Sequence, residues 1–260
     1  MVNSKNNSSS FQKLNNLVAE LRKPNGCDWD RAQTPNSLIP YFIEEVYELI
    51  EAIDKKDSNN IKEELGDVLL HIVFQSQIAS EKNSFTIHDV ISRINKKLID
   101  RHPHVFDQNN DGENLINEKI WEEKKQVNKK RKSRIDGVPK ILPSIIAAQR
   151  IQGKASTTGF DWDNIDQVWR KFDEEIMEVK TAHKQGDKNK IEEELGDLLF
   201  TVVNLCRFFN VSGENALRKA NEKFKKRFYL LENHVSKTEK KIEDFSIKEL
   251  NTIWDLVKDG

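Results

Sequence analysis

Cysteine is almost absent from this chain. Cys27 and Cys206 are the two in 260 residues, far apart and in unlike contexts. That argues against a disulfide framework and suits a reducing compartment. No run of about 18 apolar residues occurs, so no segment reads as a membrane span. The first ten residues are polar and lack the apolar stretch of a signal peptide. The formal net charge of −1 gives no overall field for a polyanion or a membrane surface. The reading is a soluble, cytoplasmic protein with no membrane and no nucleic-acid partner. Alternating β-branched runs are scarce as well. What remains is 37% hydrophobic and 33% charged residues in long amphipathic patterns, which points to an all-α fold.

Helical spacing begins at Phe11, with Leu14, Leu17, Val18 and Leu21 in period. Residues 1–10 carry none of it and are expected to be disordered. Pro24-Asn25-Gly26 is a break. Thr34-Pro35 reads as N-cap and first helical residue of a helix running to about Ile53. Further helices are expected from Ile61 to about Ser80, and from Thr86 to Arg101, where His102-Pro103 stops the chain. A loop at 108–117 and a helix at 118–132 complete this half. In the second half, helices are expected at about 167–184, 190–210 and 213–236.

The chain repeats itself. Glu175-Ile-Met-Glu178 and Glu194-Leu-Gly-Asp197 recur 130 positions earlier as Glu45-Val-Tyr-Glu48 and Glu64-Leu-Gly-Asp67. Gly159-Phe160-Asp161-Trp162-Asp163 answers Gly26-Cys27-Asp28-Trp29-Asp30. Asn221 to Phe228 answers Asn95 to His102, and Ile253-Trp254-Asp255 answers Ile120-Trp121-Glu122. Four stretches in conserved order mean duplication. The expected division is an N-terminal module at 11–125, a basic linker at 126–140 and a C-terminal module at 141–260.

Spacing alone brings the repeated acids together. Residues three apart share a helix face. In an antiparallel hairpin, residues at one level are equidistant from the turn. Glu175 and Asp197, like Glu178 and Glu194, centre on position 186, a glycine. The first-half pairs centre on position 56. On a helical wheel Glu45 and Glu48 border the stripe of Phe42, Val46, Leu49, Ile50 and Ile53. Glu64 and Asp67 border Ile61, Leu65, Val68, Leu69 and Ile72, while Glu44 and Glu63 point outward. Converging carboxylates either protonate or hold a cation. Hard oxygen ligands select Mg²⁺, with Mn²⁺ as the other fit. No Glu-x-x-His occurs, which counts against a di-iron bundle. Carboxylate-held Mg²⁺ works with substrate phosphates, so a phosphorylated substrate follows. Lys223 and Arg227, four apart on one helix face, form a candidate phosphate clamp.

With these motifs the chain resembles the MazG-type nucleoside triphosphate pyrophosphohydrolases of the all-α NTP pyrophosphatase superfamily. The resemblance spans residues 11–260. It rests on Pro24-x-Gly-Cys-x-Trp-Asp30, Gln33-Thr34, Glu44-Glu45-x-x-Glu48, Glu64-Leu-Gly-Asp67 and Arg101-His-Pro-His-Val-Phe106. In the second half it rests on Gly159-Phe-Asp-Trp162, Glu174-Glu175-x-x-Glu178, Glu193-Glu194-x-Gly-Asp197 and Lys223-Phe-x-x-Arg227-Phe228. It implies Mg²⁺-dependent hydrolysis of NTPs or dNTPs to monophosphate and pyrophosphate, in the cleaning or regulation of nucleotide pools. It also implies a homodimer of tandem four-helix modules.

By the resemblance, Glu175, Glu178, Glu194 and Asp197 hold the metal and are catalytic, while Lys223, Arg227 and Trp254 line the nucleotide site. Glu174 and Glu193, outward neighbours of the ligands, are candidate substrate contacts and bases. The second half is expected to carry turnover, as in similar two-domain proteins. The first half keeps Glu45, Glu48, Glu64 and Asp67 but has Leu98 for Phe224, His102 for Phe228 and His71 for Thr201. It also has Asp28 where the family usually has proline. The first set is therefore read as a second metal site with a structural or regulatory use. Two other classes of function compete with this reading. One is a non-catalytic helical interaction module stapled by metal. The other is nucleic-acid binding through Lys124 to Arg134, where seven of eleven residues are Lys or Arg. No aromatic residue interleaves that run, so it reads as a solvated linker.

Overall fold

The computed structural model describes residues 4–106, 132–238 and 240–258. By its contacts the chain divides into two compact units, Met1–Asn114 and Leu115–Gly260. Among the described residues there is no strand, so the fold is all-α.

In the first unit, α1 spans Ser4–Leu21, α2 Asp28–Ala32, α3 Ile39–Lys55, α4 Ser58–Glu81, α5 Ile87–Arg101 and α6 Pro103–Phe106. Helix α1 starts ahead of Phe11: residues 4–10, expected to be disordered, carry no apolar period by which to announce a helix. The Thr34 cap is also corrected. Thr34 N donates to Ser37 Oγ at 2.9 Å and Thr34 Oγ1 accepts from Ser37 N at 3.1 Å, closing a separate turn. The helix proper begins four residues after Pro35, with Pro40 in its first turn. At α5 the reading holds. Thr86 and Asp89 form a reciprocal capping box, and the helix ends at Arg101. The loop expected at 108–117 and nearly all of the helix at 118–132 lie outside the described residues, as does most of the basic run.

In the second unit, α7 spans Ser144–Ser156, α8 Ile165–Gln185, α9 Lys188–Phe208, α10 Gly213–Val235 and α11 Ile247–Leu256, with a 3₁₀ turn at Ile242–Asp244. Each unit is built on one antiparallel hairpin, α3–α4 and α8–α9. The turns are the same device. The α3 C-cap, Lys56, is left-handed at φ 56°, and the α8 C-cap, Gly186, at φ 73°. Asp57 and Asp187 then cap the following helix, each accepting two backbone N–H groups. Both turns fall at the positions on which the acidic pairs centre.

The first core is Val18, Leu38, Val73, Phe74, Ile78 and Ile87, where α1 and α5 cover the far end of α4. In the second unit Leu231, Val235 and Ile253 cluster between α10 and α11. The break before α2 is sterically set: a Cβ on Gly26 would lie 2.1 Å from the Leu21 carbonyl oxygen. The apolar stripes of the hairpins are only partly covered within the chain. Phe42, Ile53, Leu65 and Ile72 are exposed in the first unit, and Leu195, Leu199, Phe200 and Val202 in the second.

Candidate metal and nucleotide site

Helices α8 and α9 pack along their length and deliver Glu175, Glu194 and Asp197 to one place, with carboxylate oxygens all within 4.8 Å of one another. Helices α3 and α4 do the same with Glu45, Glu64 and Asp67. The fourth acid of each set, Glu178 or Glu48, stays outside this tight trio but is electrostatically coupled to it. Burial raises the Glu178 carboxyl above its ordinary range, and the charge of Glu194 adds to that. Burial likewise raises Glu64, followed by the charges of Glu48 and Asp67. Burial raises Glu45, with Asp67 the leading neighbour. These couplings follow the level-by-level pairing of the hairpin register.

The two clusters differ in depth and in neutralisation. Glu175 and Glu194 are 3% and 6% exposed, whereas their first-half equivalents are half-buried. The outer acids Glu174 and Glu193 are exposed, as the wheel indicates. In the second unit Lys171 Nζ lies 2.7 Å from both Glu174 Oε1 and Glu175 Oε1. Lys190 Nζ lies 3.1 Å from Glu193 Oε2 and 2.9 Å from Glu194 Oε1. These hydrogen bonds hold both ammonium groups well above their usual range. Tyr41 and Asn60 stand at the matching first-half positions.

Sequence reasoning passed over the two lysines, although Lys171-x-x-x-Glu175 and Lys190-x-x-x-Glu194 are one helical turn apart and were legible as i,i+4 pairs. It also passed over α7. Gln149 on that helix fastens the α9–α10 turn, donating to Val211 O at 2.9 Å and accepting from Gly213 N at 3.0 Å.

Oxygen-only donors fit a hard divalent cation. A second observation supports the fit. Glu175 Oε2 is fully buried with no hydrogen-bond partner, a costly state for a carboxylate oxygen that a cation would relieve. In the first unit His71, one turn beyond Asp67, takes the place of Thr201. Burial lowers its pKa, the Asp67 charge opposes this, and its Nδ1 is buried without a partner.

Lys223 is exposed on α10, and Arg227, one turn on, donates to Lys258 O at 3.4 Å. No ion pair joins either to the carboxylates among the described residues. Their helix carries Phe224 and Phe228, stacked with centroids 6.1 Å apart, and Phe224 meets Trp254 at 5.2 Å. Trp254 packs on the Leu231–Val235–Ile253 cluster, so the chain holds the indole in place. Trp162 is partly exposed, and its loop is tied to α9 by Arg207 Nη1 donating to Asp161 Oδ2 at 2.8 Å.

The family model for the MazG nucleotide pyrophosphohydrolase domain matches this chain twice, at residues 33–106 and 165–229, which are the segments carrying the two hairpins. The chain is 48% identical over 252 residues to the nucleoside triphosphate pyrophosphohydrolase/pyrophosphatase MazG of Thermotoga maritima, covering 96% of each protein. It is 38% identical over 256 residues to the nucleoside triphosphate pyrophosphohydrolase of Escherichia coli K12, covering 96% of this chain and 97% of that one. Bacillus subtilis YabN is 39% identical over 255 residues, which are 96% of this chain and 52% of that longer protein. With its domain model matched twice and near-full-length relatives at this identity, the chain belongs to the MazG nucleotide pyrophosphohydrolase family.

Proposed function

We propose that this protein hydrolyses nucleoside triphosphates, ribo or deoxy, to the monophosphate and pyrophosphate, with Mg²⁺ as cofactor and the second unit as the seat of turnover. The observation that carries the reading is the carboxylate trio of the buried Glu175 and Glu194 and the exposed Asp197, with Glu175 Oε2 buried and without a hydrogen-bond partner. The similarity to pyrophosphohydrolases along nearly the whole chain supports the substrate class. Glu175, Glu178, Glu194 and Asp197 would hold the cation. When bound, it supplies charge neutralisation on phosphate oxygens as the anhydride breaks.

The protein's own groups do the rest. The Trp254 indole, braced by Phe224, offers a flat apolar face to the base. Lys223 and Arg227 carry positive charge toward the departing phosphates. A carboxylate of the cluster edge, with Glu174 and Glu193 the outward candidates, accepts the proton of the attacking water. The first unit keeps Glu45, Glu48, Glu64 and Asp67 and serves as a second cation site with a structural or regulatory role. The half-covered stripes of both hairpins favour a homodimer, in which a second copy completes the apolar packing. Together with the family's substrate class, the scarcity of cysteine supports a cytoplasmic enzyme of the nucleotide pool.

The test is a panel of NTPs and dNTPs with Mg²⁺, resolving monophosphate plus pyrophosphate from diphosphate plus phosphate. Release of diphosphate and phosphate, or no release at all, would overturn the reading. Full activity in Glu178→Ala would remove the assigned site.

A further inference from the structure

The second carboxylate cluster already has cations on it. Lys171 and Lys190 each bridge an outer and an inner acid, Glu174 with Glu175 and Glu193 with Glu194. They reach the cluster from opposite ends. Lys171 comes from one turn before Glu175 on α8. Lys190 comes from one turn before Glu194 on α9, at the turn end of the hairpin. Each takes Oε1 of the deep acid, leaving Glu175 Oε2 without a partner. Two ammonium groups therefore sit on the two buried carboxylates that a divalent ion would share, and one oxygen of Glu175 stays open. The first cluster, with the same acids in the same register, has Tyr41 and Asn60 instead. There, among the described residues, no salt bridge from a lysine or arginine is seen on Glu45 or Glu64, and neighbouring acids raise both carboxyls after burial does.

We infer that Lys171 and Lys190 are resident counter-ions of the second cluster, displaced from Glu175 and Glu194 when a divalent cation binds. The inference rests on the cation-dependent reading of this site. In the cation-free state the lysines pair with two buried carboxylates and hold them in place, where an unpaired buried carboxylate would be costly. Cation binding breaks the inner ion pairs and leaves the ammonium groups tethered to Glu174 and Glu193 at the rim. Positive charge then becomes available beside the cation only once the cation is present. The lysines thus act as positioning residues that make the site's readiness for an anionic substrate conditional on metal. The first cluster, without lysines, binds its cation with no such exchange.

The experiment uses the full chain carrying Glu45→Gln and Glu64→Gln, so that one cluster remains. Mn²⁺ is titrated by electron paramagnetic resonance without nucleotide. Removing a competing cation tightens Mn²⁺ binding, so Lys171→Met and Lys190→Met each lower the Kd by about fivefold, the upper range of a partly exposed ion pair. Lys171→Arg and Lys190→Arg keep it near the parent value. Unchanged or weaker binding in both Met variants would overturn the exchange, because the lysines would then only shape the cluster. On the unmutated chain, two lysine Nζ resonances should shift when Mg²⁺ is added to ¹⁵N-lysine-labelled protein. No shift would equally overturn it. Neither readout needs turnover. Tightened Mn²⁺ binding without pyrophosphate release would sink the hydrolase reading and leave the exchange standing. Pyrophosphate release with unaltered Mn²⁺ affinity would do the reverse.

Discussion

At the scale of single residues, the decisive contrast is between acids that share an oxygen-rich niche and acids that only share a helix face. Glu175 has the least freedom, being buried with one oxygen bonded to Lys171 and one unpartnered. Glu175→Gln should lower Mg²⁺-dependent pyrophosphate release by about 100-fold, with the far-ultraviolet helical signal unchanged. Glu45 makes the opposite case, because burial and then the Asp67 charge hold its carboxyl above the ordinary range. An acid whose folded pKa is raised binds more protons folded than unfolded between the two values. Its ionisation therefore costs stability above that window, and the cost disappears as pH falls through it. Without divalent cation, Glu45→Gln should melt at a higher temperature than the parent at neutral pH. The gap should narrow as pH falls into the range just above 4.5, the ordinary carboxyl value. His71, depressed by burial, loses stability on acidification in both proteins and so drops out of the difference. A saturating divalent cation should reverse the order of the two melting temperatures.

At the scale of elements, the hairpin turn is where the two halves can be compared most directly. Lys56 and Gly186 both occupy the left-handed C-cap, a conformation that disfavours a side chain. Lys56→Gly should stabilise the protein by about 1 kcal/mol and Gly186→Ala should destabilise it by about the same amount, read from chemical denaturation. The glycines of the Glu-Leu-Gly-Asp segments are a different case. Added Cβ atoms on Gly66 and Gly196 would meet nothing within 4 Å. Glycine inside a helix costs about 1 kcal/mol relative to alanine. If the chain alone used that space, Gly196→Ala would be a gain in stability. A gain in melting temperature accompanied by a raised KM for nucleotide would show that substrate approaches there.

At the scale of the molecule, the open stripes dominate. Leu65 and Ile72 on α4, and Leu195 and Leu199 on α9, are exposed at hairpin positions whose spacing is that of a core. A homodimer would cover them. The full chain should sediment at twice its own mass, and Leu199→Glu should weaken that association while retaining helix content. A monomeric parent chain would contradict the proposed assembly and leave the hairpin geometry untouched.

The sequence by itself determined the duplication, the hairpins, their turns and the acids that share a level, because helical periodicity and a fixed offset are one-dimensional signals. It also carried the i,i+4 lysine pairs, unnoticed among so many charged residues. It could not place the start of α3, where a Thr34–Ser37 turn competes with a cap of the same composition. Nor could it announce the start of α1, which has no apolar period. Only the tertiary structure decided that Glu175 and Glu194 are buried while Asp197 is exposed and the first trio is half-buried throughout, and that Glu178 and Glu48 stand apart from their trios. It alone found an oxygen of Glu175 left without a partner. Depth and hydrogen-bond satisfaction depend on what a second helix covers, and no spacing along one chain reports that.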